Sequence, residues 1–300
     1  MNIVKNAINY YYNLFPDDIH QTDKLFYFDK GQERYTLLLY EGDVNTLQEI
    51  YNLHVSLLQK KVYVHQILLN KDGQIVTLIN GLPYILLKVL HYKEKIDLNN
   101  VLSFSNVGME SSKLEIADWG TLWSNKNDHM EYQISQLGQK HPIIRESFSY
   151  YIGLGETSIQ LVNTISKEQT PKVIAHRRIS KDDTVFELYN PLNLIIDTKV
   201  RDVAEYFKNG FFKGENINDE LNRYLMYGGL NTSEHLFFLA RMLYPTYYFD
   251  LYGEIISGKT EDEELKKIID KVDDYELVLK HIYQYYKTFL NIPPIEWLER

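Results

Sequence analysis

PKVIAHRRISKDDTVFELYNPLNLIIDTKVRDVAEYF (171–207) sets two short apolar runs around a long polar interval. The first run, Val173-Ile174-Ala175, has the β-branched character of a buried strand and delivers a histidine, His176. Two arginines follow, Arg177 and Arg178, and then a charged segment, Lys181-Asp182-Asp183, that has the composition of a solvated turn. The second run, at 192–196, is again strand-like, and from about 200 the spacing becomes helical, with Asp202 near the start. Asp182, Asp183, Glu187 and Asp197 supply enough carboxylates in this one stretch for a metal site, so any chemistry of the chain is to be sought here first.

Around this stretch lie 300 residues with 44% hydrophobic content, enough to bury one or two substantial cores. The formal net charge of −9 argues against a general nucleic-acid binder and against adhesion to an anionic membrane, because both need a basic face. Cysteine is absent, which excludes disulfides, thiolate metal sites and a cysteine nucleophile and suits a reducing compartment. The start, MNIVKNAINYYYNLFPDD, is amphipathic and lacks the apolar core of a signal peptide. No window approaches the roughly 18 uninterrupted apolar residues of a membrane span. A soluble protein made inside a cell is the expectation. Tyrosine is unusually frequent at 25 residues, clustered at 10–12, 247–248 and 283–286. A codon bias toward AT would explain it, as would an adhesive or cross-linkable surface.

Residues 2–15 place Ile3, Ala7, Tyr10, Tyr11 and Leu14 at helical spacing, and Pro16 stops the run. Two strands turning at Asp29-Lys30-Gly31-Gln32 are predicted over 24–42, then a helix over 43–61 with Asp43 as N-cap and Leu47, Ile50, Tyr51, His54, Leu57 and Leu58 along one face. A second hairpin is predicted at Asn70-Lys71-Asp72-Gly73, with a further strand ending near Lys88-Val89-Leu90. HYKEKIDLNN (91–100) has the polarity of a connector. Beyond it the pattern is helical at roughly 111–138, 142–166, 200–209, 218–227, 231–257, 261–273 and 275–290. The division expected is therefore a sheet-rich α+β unit over 1–91 and a helical unit over 92–300.

From the His176 loop onward the chain resembles the aminoglycoside-phosphotransferase branch of kinase-like proteins, and the CotS-type spore coat kinases in particular. That branch runs strand, H-G-D-x-x-x-x-N, hairpin, a metal-binding Asp, then D-[LV]-A opening a helix. IAHRR supplies the histidine and RDVAEYF the last element, with Asp202 at its aspartate. ADWGTLWSNKNDHMEY (117–132), SYYIGLGETSIQLVN (149–163), NPLNLIIDTKVRDVAEYF (190–207), ARMLYPTYYFD (240–250) and IPPIEWL (292–298) resemble, more narrowly, the YutH-type endospore coat-associated proteins. The resemblance implies a bilobal protein-kinase-like fold with a small sheet-rich N-lobe and a large helical C-lobe. It also implies a place in the spore coat, among other coat proteins, after synthesis in the mother-cell cytoplasm.

Phosphoryl transfer needs positioning and charge compensation more than covalent chemistry, and its parts can be sought one by one. The third strand should carry a lysine paired with a helix glutamate. It has Leu37-Leu38-Leu39 instead, with Arg34 and Lys88 the nearest basic residues and Glu49 at the helix position. The first hairpin turn has Gly31 alone where a glycine-rich loop is wanted. Carried over without gaps, the loop motif puts Arg177 at its glycine, Arg178 at its catalytic aspartate and Asp183 at its metal-binding asparagine. A guanidinium of pKa above about 12 accepts no hydroxyl proton near neutral pH, and it repels Mg²⁺. Asn193, Asp197 and, more weakly, Glu187 are the candidates for the later metal ligand. His176 is expected to pack under the loop, Asp202 to hold the loop through backbone N–H groups, and Trp119 and Trp123 to pack in a core. GLGETS (153–158) lacks the Lys-Ser/Thr ending of a phosphate loop and falls inside a helix. The expectation is a pseudokinase-like coat component that needs no cofactor and works through protein contacts. The alternatives are an active phosphotransferase that holds ATP and Mg²⁺ through Asp183 and Asp197, or a nucleotide-binding regulator.

Overall fold

The computed structural model describes residues 2–22, 25–89, 94–109, 113–116, 118–165, 170–180 and 184–299. The first lobe is built on an antiparallel sheet of β1 (His20–Thr22), β2 (Leu25–Lys30), β3 (Glu33–Leu39), β4 (Gln66–Leu68), β5 (Thr77–Ile79) and β6 (Leu82–Val89). The order is β1-β2-β3-β6-β4, with β5 also pairing with β6. Strand alternation sends Phe28, Tyr35, Leu37 and Leu86 to the outer face, where α1 (Asn2–Tyr12) covers them with Val4 and Ile8. Ile3 and Tyr10, expected on the buried face of α1, are exposed: the apolar stripe lies one position away. Ile85, Leu87 and Val89 face inward with α2 (Val44–Gln59), whose Leu47, Ile50, Leu53, His54 and Leu57 are buried. Asp43 caps α2 by accepting from the Asn45 and Thr46 N–H groups.

The second hairpin turns elsewhere than predicted. The Asn70–Gly73 turn joins β4 to β5, but both strands pair with β6 and not with each other. The two-residue turn is Asn80-Gly81, with φ of 51° and 77°, the doubly left-handed conformation that favours Asn-Gly between strands.

The helical lobe holds α3 (Leu98–Ser105), α4 (Trp119–Leu137), α5 (Pro142–Asn163), β7 (Lys172–His176), α6 (Val185–Tyr189), β8 (Leu194–Thr198), α7 (Arg201–Phe212), α8 (Asn218–Tyr227), α9 (Thr232–Leu243), α10 (Thr246–Ile256), α11 (Lys266–Ile269), α12 (Val272–Lys287) and α13 (Glu296–Glu299). α3 begins within the expected connector, 91–100, and runs beyond it, its start fixed by a capping box of Asp97 and Asn100. The division expected at 91/92 falls within 90–93, outside the described residues. The continuous helix predicted over 231–257 breaks into α9 and α10 because Pro245 drives Tyr244 out of the helical region, to ψ 117°. In α5, a Cβ on Gly155 would stand 2.7 Å from the Asn127 amide of α4, so the GLGETS glycine serves close helix approach. One apolar core runs from α2 through α12 across both lobes. Among the described residues no helix is long and apolar enough to cross a membrane.

Candidate functional site

The site begins where β7 ends. The His176 N–H donates to Asp202 Oδ1 at 3.1 Å, the ring Nδ1 meets Asp202 Oδ2 at 2.7 Å and Nε2 meets the Leu188 carbonyl at 2.7 Å. Both ring nitrogens face protein oxygens within hydrogen-bond distance, so the buried imidazole turns neither of them to a substrate. Arg201 closes the same loop from the first turn of α7: its Nε donates to the His176 carbonyl at 2.9 Å and its Nη2 to the Arg177 carbonyl at 3.0 Å.

Asn193 fixes the backbone at Arg178. Its Nδ2 donates to the Arg178 carbonyl at 2.8 Å and to the Glu187 carbonyl at 3.2 Å, while its Oδ1 accepts the Arg178 N–H at 3.3 Å. The asparagine that faces the loop thus stands fifteen residues after Arg178, not five. The gapless count missed it because α6 is inserted between them, and the signal was the Asn-Pro-Leu-Asn run before the second strand. Asp183, the residue that count selected, and its neighbour Asp182 lie outside the described residues. The Arg178 side chain, 79% exposed, turns away to Asp250 at 3.3 Å.

Asp197, at the end of β8, is fully buried, and both its oxygens are engaged. Trp119 Nε1 donates to them at 2.9 and 3.1 Å, Arg201 Nη1 to Oδ2 at 2.9 Å, Arg241 Nη2 to Oδ2 at 3.2 Å and the Thr198 N–H to Oδ1 at 2.6 Å. Arg241 lies over the Trp119 ring at 4.1 Å, and burial brings its guanidinium down to about 10 against the opposing charge of Asp197. Trp123 is buried and stacked on Tyr244 at 4.3 Å. One turn further along α7 and two, the half-buried Glu205 and the buried Lys208 pair at 2.9 Å. Lys208 also donates to the carbonyls of Arg241 and Tyr244 and to Thr246 Oγ1, tying α7 to the α9–α10 corner. Burial alone would raise the Glu205 carboxyl, but the Lys208 and Arg241 charges outweigh it and hold it below its ordinary value. These groups, with Lys126, Arg177, Arg178 and Asp250, line a cleft of about 570 Å³.

In the first lobe, the residues nearest the places sought for a lysine, its glutamate and a glycine-rich loop have other partners. Leu37 points into the α1 core and Leu38 packs on the inner one. Arg34 makes two 2.7 Å bonds to Asp29, Lys88 pairs with Glu33, and Glu49 pairs with Lys113 at 3.5 Å. Gly31 lies in the β2–β3 turn beside the Val89 end of β6, since Arg34 is in register with Val89. Between sheet and loop, the His65 N–H donates to the Tyr189 carbonyl at 2.8 Å, the His65 ring stacks on Phe186 at 5.0 Å and Tyr63 meets Tyr189 edge-on at 4.7 Å. The gap beneath β2 and β3, lined by Tyr27, Thr36, Thr184 and Phe186, holds about 190 Å³, below the roughly 300 Å³ at which small-molecule pockets begin.

The family described as "Spore coat putative kinase YutH" matches residues 5–282. The endospore coat-associated protein YutH of Bacillus subtilis (strain 168) is 25% identical over 209 residues, which span 61% of this chain and 62% of that relative's length. Among solved structures, an aminoglycoside phosphotransferase from Alicyclobacillus acidocaldarius is similar with a TM-score of 0.71, covering 95% of this chain and 96% of its own at 10% identity. A spectinomycin phosphotransferase, solved with ADP and spectinomycin, gives 0.59, covering 99% of this chain and 96% of its own at 12% identity. The fold is that of the aminoglycoside-phosphotransferase-like kinases, an antiparallel N-terminal sheet with a mostly helical remainder, as the sequence led one to expect.

Proposed function

The chain belongs to the YutH family of the spore coat, and from that premise we propose that it is a coat-associated protein that keeps a kinase architecture without phosphoryl transfer, acting through contacts with other coat proteins. The observation that carries this reading is Arg178. Where the transfer reaction needs a carboxylate to accept the hydroxyl proton, the chain has a permanent cation whose backbone is pinned by Asn193 and whose side chain turns to Asp250. Asp197, the candidate metal carboxylate that lies among the described residues, supports the same reading because Trp119, Arg201 and Arg241 already satisfy it. Coat association is carried over from the Bacillus subtilis relative.

Calorimetric melting with and without Mg²⁺-ATP tests the reading. A nucleotide present at 100 times its dissociation constant would add about 2.7 kcal/mol. The expected result is an unchanged transition. A raised transition accompanied by release of phosphate, with the release lost on Asp183→Ala, would instead establish a phosphotransferase.

A further inference from the structure

We propose that the 570 Å³ cleft between α4, the His176 loop, α7 and α10 binds a small oxyanion-bearing molecule, either a phosphate ester or a polycarboxylate. The chain as a whole is acidic, at −9, yet this cleft is not. Among the described residues its walls carry Lys126, Arg177, Arg178, Arg201, Lys208 and Arg241 against Glu205 and Asp250, with Asp197 beneath. Six cations against three carboxylates, in a concavity walled by Trp119 and Trp123, focus a positive potential in the cleft.

The cations divide by what they are doing. Arg201 spends its N–H groups on the His176 and Arg177 carbonyls and on Asp197, and Lys208 spends its own on the Arg241 and Tyr244 carbonyls, Thr246 and Glu205, so they contribute field and not contacts. The others have donors to give. The Arg177 guanidinium has no ion-pair partner among the described residues. Arg178 and Lys126 share the single carboxylate of Asp250, at 3.3 and 3.7 Å. Arg241, 2% exposed, has a buried Nε without a hydrogen-bond partner. Such a group costs stability unless something compensates it, and an oxyanion in the cleft would strengthen the field that holds it. Guanidinium forks match phosphate and carboxylate oxygens in pairs, which sets the ligand class, and the volume lies within the 300–1,000 Å³ range of small-molecule sites. The proposal needs no metal ion and stands whether or not a nucleotide binds.

Isothermal titration calorimetry of the full chain, in EDTA at low ionic strength, decides it. Inorganic pyrophosphate and citrate are the probes and spermidine the cationic control. Saturable one-site binding of an anion, with none for spermidine, is expected; pyrophosphate alone points to a phosphate ester and citrate alone to a polycarboxylate. Arg177→Ala and Arg178→Ala change exposed side chains and leave the melting transition in place. Each should weaken binding by about tenfold, the loss of a charge-assisted contact. Lys259→Ala, which removes the same charge from an exposed position outside the cleft, should leave affinity unchanged. Absence of binding by both anions at millimolar concentration, equal weakening by Lys259→Ala, or unaltered affinity in the Arg177→Ala/Arg178→Ala double variant would each overturn the assignment.

Discussion

Replacing Asp197 by asparagine keeps the shape of the side chain, removes its charge and puts an NH₂ donor in place of one acceptor oxygen. Trp119 Nε1 and the Thr198 N–H can still donate to the amide oxygen, so two of the five bonds to the group have a partner in the variant. The guanidiniums of Arg201 and Arg241, 11% and 2% exposed, lose the buried counter-charge they share. Breaking a buried pair by removing one member costs about 3–5 kcal/mol. The retained donors put the expected loss near the lower bound, about 3 kcal/mol, or a fall in Tm of roughly 6 °C at about 2 °C per kcal/mol for a long chain. Urea unfolding at pH 7, with calorimetry alongside, measures both. Adding Arg241→Met to Asp197→Asn removes one of the stranded cations and should return part of the loss, a coupling that independent sites would not show. A carboxylate held in reserve for a metal ion behaves differently: neutralising it leaves the metal-free protein as stable as before, or more so. Should Asp197→Asn unfold within about 0.5 kcal/mol of the wild type, the range of an ordinary surface change, the clasp described here is wrong.

Three further outcomes follow from buried groups. Burial holds the His54 imidazole down to about 4, against 6.5 when free, so the unfolded chain takes up a proton that the folded one refuses. Stability should therefore decline as pH falls from about 6.5 toward 4, and His54→Gln, which keeps an acceptor for the Ile67 N–H, should flatten that part of the denaturation profile; coincident profiles would contradict the assignment. Lys208→Met strands Glu205 and three acceptors at the α9–α10 corner and should cost about 3 kcal/mol in urea unfolding, partly restored by adding Glu205→Gln. Oxidative labelling read by peptide mapping should mark Tyr10, Tyr132 and Tyr227, which are 64%, 68% and 80% exposed, well before the buried Tyr248, Tyr275 and Tyr283; the reverse order would contradict the packing.

Periodicity was a reliable guide wherever an element carried its own stop signals. The α2 helix, its Asp43 cap and most of its buried face follow from spacing alone, although Leu58, expected on that face, is exposed and Leu53 is buried in addition; α8 matches its predicted limits. The errors have local causes. Asn80-Gly81 was the strongest hairpin signal in its region and was passed over for a turn four residues long. α3 was hidden in a polar segment because its capping box, Asp97 with Asn100, precedes only eight helical residues. Within the site, the histidine, the arginines and Asp202 were legible because they are close in sequence. The Asp197 clasp was not, because Trp119 and Arg241 reach it from 78 and 44 residues away. Nor was the role of Asn193 against the loop, since its distance from Arg178 depends on an inserted helix that no count could supply.

The apolar core that passes from α2 to α12 without interruption bears on how the molecule comes apart. Lobes with separate interiors denature in separate steps and can be expressed alone. Here Leu47, Ile50 and Leu57 share one interior with Phe207, Leu239 and Ile282, so severing the sheet from the helices would strip both. Heat should dismantle the whole chain in a single cooperative transition, with calorimetric and van't Hoff enthalpies in agreement.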